Sequence, residues 1–162
     1  SNKEESMGIC FVGEVPMKEF LEKKIKVKKG EIVLGDGTVI GEHEGLAFYT
    51  IGQRHGFIQT GGTKPLFVVG KDMATNQLFV GYEDDPRLWS KEIEVEDMHW
   101  IAGTEPKFPL KAKVRLRHRQ ELQECVVENN KIIFKKSQRA ATPGQFAVIY
   151  QGRVCLGGGV IK

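Results

Sequence analysis

From residue 93 onward the chain breaks into short runs of β pattern, at 93–95, 110–119, 122–127, 132–135, 146–150 and 153–161. Turn signals at Asn129-Asn130 and Gln151-Gly152 separate the later runs, and helical periodicity is almost absent. Each such strand has one apolar face to hide. Many of them in a row, joined by tight turns, predict a small closed or nearly closed β-barrel for this half.

The first half reads differently. Pro16 followed by Met17, Phe20, Leu21 and Ile25 has the spacing of a short amphipathic helix that ends before Gly30. Segments 31–34 and 38–40 flank Gly35-Asp36-Gly37, an Asp-Gly turn signal for a hairpin. Segments 66–70 and 77–82 around Ala74-Thr75-Asn76 predict a second hairpin. Residues 45–54 suit a turn or two of helix closed by Gly52, although Tyr49, Thr50 and Ile51 suit a strand equally well; helix is the expectation. Asp84-Asp85-Pro86 interrupts both patterns, so the junction is placed there. The expected fold is mainly β (α+β), with a small α+β domain at 13–85 followed by a β-barrel domain at 86–162 and preceded by a linker at 1–12.

Composition narrows the functional classes. A 40% hydrophobic content supports a real core, and no apolar run approaches the roughly 20 residues of a membrane helix. Three cysteines with no C-x-x-C pair argue against a disulfide scaffold or a zinc site. A soluble, cytoplasmic protein with no membrane partner is expected, the first residues showing no signal-peptide pattern. No His/Cys/Asp/Glu grouping has metal-ligand spacing, no Ser/His/Asp set is visible, and His55 and His99 have no recognisable partner. The net charge of +3 permits a nucleic-acid partner without demanding one.

Local charge is more informative. In the run from Lys111 to Arg119, strand alternation places Lys111, Lys113, Arg115, Arg117 and Arg119 on one face, with Ala112, Val114 and Leu116 toward the core. Like charges about 6–7 Å apart repel unless acids or a polyanion neutralise them. Cross-strand pairing with Glu121, Glu124 and Glu128, at about 0.2–1 kcal/mol per opposed pair, and contact with RNA are equally good accounts of the pattern. Gly157-Gly158-Gly159 lacks the Lys-Ser/Thr of a phosphate loop and lies in a strand pattern, so a bulge or tight barrel corner is expected. Cys125 and Cys155 lie on apolar strand patterns and are expected in the core.

Near the start, Cys10 stands among apolar neighbours, with Gly8 and Gly13 on either side. By itself this pattern describes a small buried hydrophobe in a short strand. The run Ser6-Met7-Gly8-Ile9-Cys10-Phe11-Val12-Gly13, however, resembles the S-x-G-I-C-F-x-G segment of the tRNA-specific 2-thiouridylases. Two further stretches carry the same resemblance, in family order. One holds Gly41, His43, Gly45, Tyr49-Thr50-Ile51-Gly52-Gln53-Arg54 and Gly56; the other holds Thr142-Pro143-Gly144-Gln145 and Val154-Cys155-Leu156-Gly157-Gly158-Gly159. The similarity covers the whole chain but only the back half of the family's enzyme. The family's ATP-pyrophosphatase domain, with its S-G-G-x-D-S loop and first catalytic cysteine, has no counterpart in these 162 residues, so a fragment holding the central and C-terminal domains is expected.

The resemblance implies a fold and a chemistry. The barrel is implied to be similar to the second domain of translation elongation factors. The family's enzyme adds sulfur to carbon 2 of the wobble uridine of tRNA, which ATP first activates as an adenylate. Cys10 falls on the cysteine that carries the sulfur as a persulfide, loaded by a sulfur-relay donor protein, and that forms a disulfide with the partner cysteine of the absent domain. Such a sulfur must be partly exposed and readily deprotonated; Lys3 stands near it, as do Glu4 and Glu5. Arg117 and His118 match an Arg-Tyr pair assigned to tRNA contact, histidine replacing tyrosine, and Gln145 matches another tRNA-contacting position. Lys113, Arg115 and Arg119 extend that surface. His43, Tyr49, Gln53 and Arg54 form a polar cluster expected to brace the Cys10 loop or to meet the tRNA stem. The rival class is a non-catalytic RNA- or protein-binding β-barrel module in which Cys10 is structural.

Overall fold

The computed structural model describes residues 23–54 and 64–162. The Cys10 segment and most of the helix expected from Pro16 onward therefore lie outside the described residues; Lys23 and Lys24 are in a turn. Strands β1 (Gly30–Leu34), β2 (Val39–His43), β3 (Phe67–Asp72) and β4 (Gln77–Gly81) make a sheet of order β2-β1-β4-β3, with β1 parallel to β4 and the other pairs antiparallel. Strands β5 (Trp89–Trp100), β6 (Leu110–Arg115), β7 (Gln123–Glu128), β8 (Lys131–Arg139), β9 (Phe146–Gln151) and β10 (Val154–Ile161) close a barrel of order β10-β5-β8-β7-β6-β9. The mainly β class and the closed barrel are as the sequence predicts.

Both expected hairpins form, each through its aspartate. Asp36 Oδ1 accepts from the Thr38 amide at 2.9 Å, Leu34 N donates to Thr38 O at 2.9 Å, and Gly37 takes φ +89°. Asp72 Oδ1 accepts from the amides of Ala74 and Thr75, while Asn76 supplies the positive φ. Hydrogen bonds from Thr38, and from Thr75 and Ala74, hold these two carboxyls below their ordinary range. Residues 45–54 differ from expectation: one 3-10 turn, Leu46–Phe48, gives way to extended backbone at Tyr49. The chain there bonds to β3 instead, through Gly52 N to Val68 O at 2.8 Å and Val68 N to Gln53 O at 2.9 Å. β-branched Thr50 and Ile51 lose little in this arrangement and would lose rotamer freedom in a helix.

The sheet is apolar on both faces. Ile32, Leu46, Tyr49, Leu66, Val68, Leu78 and Val80 fill one core, while Phe67, Val69 and Leu88 pack together on the other side. Leu88 belongs to the 3-10 turn Pro86–Leu88, whose N-cap Asp85 accepts from Arg87 N at 2.9 Å and pairs with its guanidinium at 2.7 Å. The expected junction is thus a capped turn that leads directly into β5.

The barrel interior holds Ile93, Val95, Val114, Cys125, Val127, Ile132, Phe134 and Ile149 among others. Each large side chain buried there contributes about 1.5–3 kcal/mol. β5 runs twelve residues where three were expected: Glu92, Glu94 and Glu96 alternate with buried Ile93 and Val95, but Ser90-Lys91 and Asp97-Met98-His99 on either side break the alternation, and pairing with β8 and β10 carries the strand on. Conversely β6 stops at Arg115, four residues short of expectation. Cys125 is buried as expected, whereas Cys155 is only half-buried, its strand bulging next to it. The triple glycine forms a tight crossing with bulges on either side. A β-carbon on Gly158 would stand 2.4 Å from Ala147 O, and one on Gly159 2.5 Å from Glu96 O, so strand backbone already fills the space.

Two outcomes follow for stability. Gly158→Ala lowers the unfolding free energy by about 1–3 kcal/mol or more in urea titrations, since two strands must separate to admit the methyl. Burial pushes the Cys125 thiol up from 9.0 to about 11, so the folded state keeps a proton that the unfolded chain gives up. Stability contributed by this thiol is therefore full below pH 9 and falls as pH rises toward 11. Urea midpoints at pH 7 and pH 10.5 should show a smaller alkaline loss in Cys125→Ala than in the unsubstituted chain.

Candidate nucleic-acid interface

β6 lies between β9 and β7, and its outward side chains face both neighbours. Lys111, Lys113 and Arg115 alternate with Ala112, Val114 and Leu116, the last two buried, so the stripe exists over these three cations. Register then decides how much of it acids neutralise. Lys113 lies opposite Glu124, but Lys111 lies opposite Val126 and Arg115 opposite Val148. Glu124 bonds first to Lys135, Nζ to Oε2 at 2.6 Å, and that bond, with the charges of Lys135, Lys113 and Lys136, lowers its carboxyl pKa. Glu128 faces Lys131 across β7–β8. Cross-strand pairing therefore answers Lys113 alone. The Arg115 guanidinium sits 5.8 Å over the Tyr150 ring, and a groove of about 650 Å³ lined by Lys111, Lys113, Val126, Ile133, Lys135 and Tyr150 runs along this face.

Arg117, His118 and Arg119 leave the stripe. The chain bends after Leu116 into a turn, with Gln120 N bonded to Arg117 O at 3.1 Å, Leu116 N to Gln120 Oε1 at 2.8 Å, and Arg119 at φ +62°. The cause is a glutamine ladder. Gln120 donates to Gln138 Oε1 at 3.3 Å, and buried Gln138 donates to Gln123 Oε1 at 3.2 Å and Lys136 O at 2.8 Å, which draws the chain toward β8. Alternation in sequence carries no sign of this. The Arg117 side chain consequently reaches the end of β8, where Nη2 donates to Ala140 O at 2.7 Å. Desolvation and then the charge of Arg139 lower the Arg117 pKa. His118 is exposed on the same turn.

Gln145 comes to the same end of the barrel. In Thr142-Pro143-Gly144-Gln145, Gly144 takes φ +83°, Gly144 N bonds to Ile161 O at 2.8 Å, and Ile161 N bonds to Gln145 O at 2.8 Å. Gln145 is half-buried with its Oε1 enclosed and unpartnered, not simply exposed as a plain turn residue would be. Thr142 Oγ1 donates to Ala140 O at 3.1 Å and to Ile51 O at 3.4 Å, which ties the barrel to the first sheet.

The polar cluster of the first half separates. His43 is fully buried, its Nε2 donating to Asn76 O at 3.1 Å, and its ring meets buried Tyr49 edge-on at 5.9 Å. This is a bracing pair inside the sheet. Gln53 Oε1 accepts from Thr50 N at 2.9 Å and shapes the loop, and Arg54 is exposed at its end. Between them Gly52 touches the barrel: a β-carbon there would stand 2.5 Å from Ala140 Cβ and 3.5 Å from Arg117 Nη2. Sequence reasoning passed over Arg139, three residues before the Thr-Pro-Gly-Gln turn; its position directly ahead of that motif was the available signal. Cys10 lies outside the described residues. Among those described, no group of three or more His, Cys, Asp or Glu side chains gathers, and nothing resembles a cradle for nucleotide phosphates at the filled glycine crossing.

The described residues thus form a small sheet followed by a closed β-barrel, with cations along one strand and at the seam between them. Residues 18–82 match the family model described as a tRNA methyl transferase PRC-barrel domain, and residues 90–161 the aminomethyltransferase beta-barrel domain. The chain belongs to the tRNA-specific 2-thiouridylase family. It is 44% identical over 171 residues to the tRNA-specific 2-thiouridylase MnmA of Coxiella burnetii (strain RSA 493), covering 99% of this chain and 47% of that protein. The proteins of the same name from Nitrosomonas eutropha and Pseudomonas paraeruginosa are 43% and 40% identical, with 99% and 100% of this chain and 47% and 46% of theirs covered. The chain thus spans about half the length of the curated relatives it matches.

Gly52 and Gly144 provide a matched test of the seam. Both have φ near +84°, at +85° and +83°, but only Gly52 has another segment against it. Alanine at Gly144 should cost about 1 kcal/mol, the left-handed backbone penalty, and alanine at Gly52 about 1–3 kcal/mol more in urea titrations. Equal losses would contradict the contact.

Proposed function

We propose that this chain supplies the sulfur-carrying cysteine and part of the tRNA-gripping surface of a 2-thiouridylase. What carries the reading is the match along the whole chain to 2-thiouridylases, together with a cationic cluster at the positions the family resemblance assigns to tRNA. The substrate is the wobble uridine of tRNA, whose carbon 2 exchanges oxygen for sulfur. ATP, in the family's reaction, makes that oxygen a leaving group; the described residues do not fit it, and no step here is assigned to it.

The roles of this chain's own residues follow from their chemistry. Cys10 as thiolate attacks the outer sulfur of a persulfide on a relay donor protein; the donor's S–S bond breaks, its cysteine leaves as a thiolate, and Cys10 holds the sulfur as a persulfide next to the base. Arg117, with His118 and Gln145, holds tRNA at the barrel end, and Lys113 and Arg115 extend the positive surface along β6, with Arg119 on the turn beside Arg117. Buried Cys125, with its thiol pushed up to about 11, is unsuited to sulfur transfer at neutral pH; between Cys10 and half-buried Cys155, the family resemblance selects Cys10. A two-part division at 13–85 and 86–162 and a cytoplasmic setting belong to the same reading.

The rival, a binding module without chemistry, draws on the apolar-floored groove beside β6. Thiol labelling of the native protein at pH 8 separates the two: rapid modification of Cys10 with slow modification of Cys125 is expected, and uniform protection favours the module. The 162 residues alone should bind tRNA without thiolating it, with affinity falling at least tenfold between about 50 and 200 mM salt. In the complete enzyme, Cys10→Ala should abolish 2-thiouridine measured by mass spectrometry of digested tRNA.

A further inference from the structure

Arg139, the last residue of β8, belongs to none of the motifs above. Its guanidinium carbon lies 4.4 Å from the centroid of the Phe67 ring on β3, so a barrel residue is stacked on the first sheet. Stacking fixes the plane of the fork. Nε and Nη2 are enclosed and have no hydrogen-bond partner, which leaves the charge poorly solvated. Beside it, Arg117 spends Nη2 on the Ala140 carbonyl. Arg117 Nη2 and Arg139 Nη1 lie 3.5 and 3.9 Å from the same point, the place of a missing β-carbon on Gly52. Both guanidinium groups therefore approach the same spot next to Ala140, near enough that, beyond desolvation, the charge of Arg139 lowers the Arg117 pKa. Arg87–Asp85, Lys131–Glu92, Lys135–Glu124 and Lys162–Glu94 form ion pairs, and neither arginine of the seam takes part in them.

Two like charges held together, partly desolvated and without a carboxylate, are unfavourable as they stand. Each enclosed donor left unbonded adds to that cost. A ligand that relieves this charge meets Arg139 at Nη1, since Nε and Nη2 are enclosed, and has to be an anion with oxygens able to reach Arg117 as well; phosphate has that geometry. A carboxylate has a single pair of oxygens, whereas a phosphate group can face both forks.

We propose that Arg117 and Arg139 form a two-arginine clamp for a backbone phosphate at the seam between sheet and barrel. The proposal deepens the tRNA reading and rests on it for the identity of the polymer, but the clamp itself is a property of these side chains. Because Arg139 leaves β8 to lie on Phe67 of β3, a phosphate bound there ties the two sheets more firmly, and tRNA binding and seam closure are coupled.

The test uses the full chain with inorganic pyrophosphate and with tRNA as probes. Pyrophosphate should raise the melting temperature above that in chloride of equal ionic strength, and Arg117→Gln or Arg139→Gln should each remove the excess. Arg139→Gln should weaken tRNA binding about tenfold and reduce the salt slope by about one; Arg139→Lys, which keeps charge without the planar fork, should retain the slope and lose part of the affinity. If both Arg139 variants melt lower yet keep tRNA affinity, slope and the pyrophosphate shift, Arg139 is a structural stacking residue and the clamp is wrong. If the unsubstituted chain shows the pyrophosphate shift through both arginines but no affinity for tRNA, the clamp stands and the tRNA reading fails.

Discussion

Ala140 is the point through which the two halves of this molecule are joined. It is buried, sits at φ +52° at the end of β8, and donates its amide to Leu88 O at 2.6 Å. Its carbonyl accepts from both Arg117 and Thr142, and its methyl group lies where only glycine, at position 52, can face it. A small residue with a strained backbone thus sets the distance between sheet and barrel. The strain, about 1–2 kcal/mol for an L-residue in the left-handed region, is offset by three hydrogen bonds and by apolar burial on each side.

That geometry places charge where overall composition gives no hint of it. A net charge of +3 is small, and much of the barrel's outer surface balances itself, as Glu92 with Lys131 and Glu124 with Lys135 show. Among the described residues, imbalance survives on the β6 face, where Lys111 and Arg115 lie opposite valines, and at the seam, where Arg117 and Arg139 meet no acid. The first is open and screened by salt. The second is partly desolvated, so an anion gains more there than on the open face.

Much of the architecture was legible because it depends on local rules. Period-two alternation around Val114, Val127 and Ile149 marks strands with one buried face, and Asp36-Gly37 and Asn76 mark turns whose backbone few other residues adopt. The triple glycine was legible as a crossing for the same reason. What stayed hidden depends on partners far along the chain. Ser90-Lys91 and Asp97-Met98-His99 break the alternation of β5, whose full length rests on its two barrel neighbours, and Gln138 pulls the Arg117 turn away from a strand that alternation alone extends to Arg119. The polar cluster at His43, Tyr49, Gln53 and Arg54 had the right residues but different fates, since Asn76 and Val68 divide it. For Arg139 the sequence offered only its place ahead of the Thr-Pro-Gly-Gln turn; its stack on Phe67, 72 positions earlier in the chain, appears in the fold alone.

The central claim is that tRNA is gripped at the seam around Ala140. Amide hydrogen exchange of the full chain, with and without tRNA, addresses it most directly. Slower exchange confined to residues 50–53 and 138–145, with the Arg117 turn, is the result this account requires. Slowing along the groove strands β7 and β8 away from that end, with the seam unchanged, would contradict it.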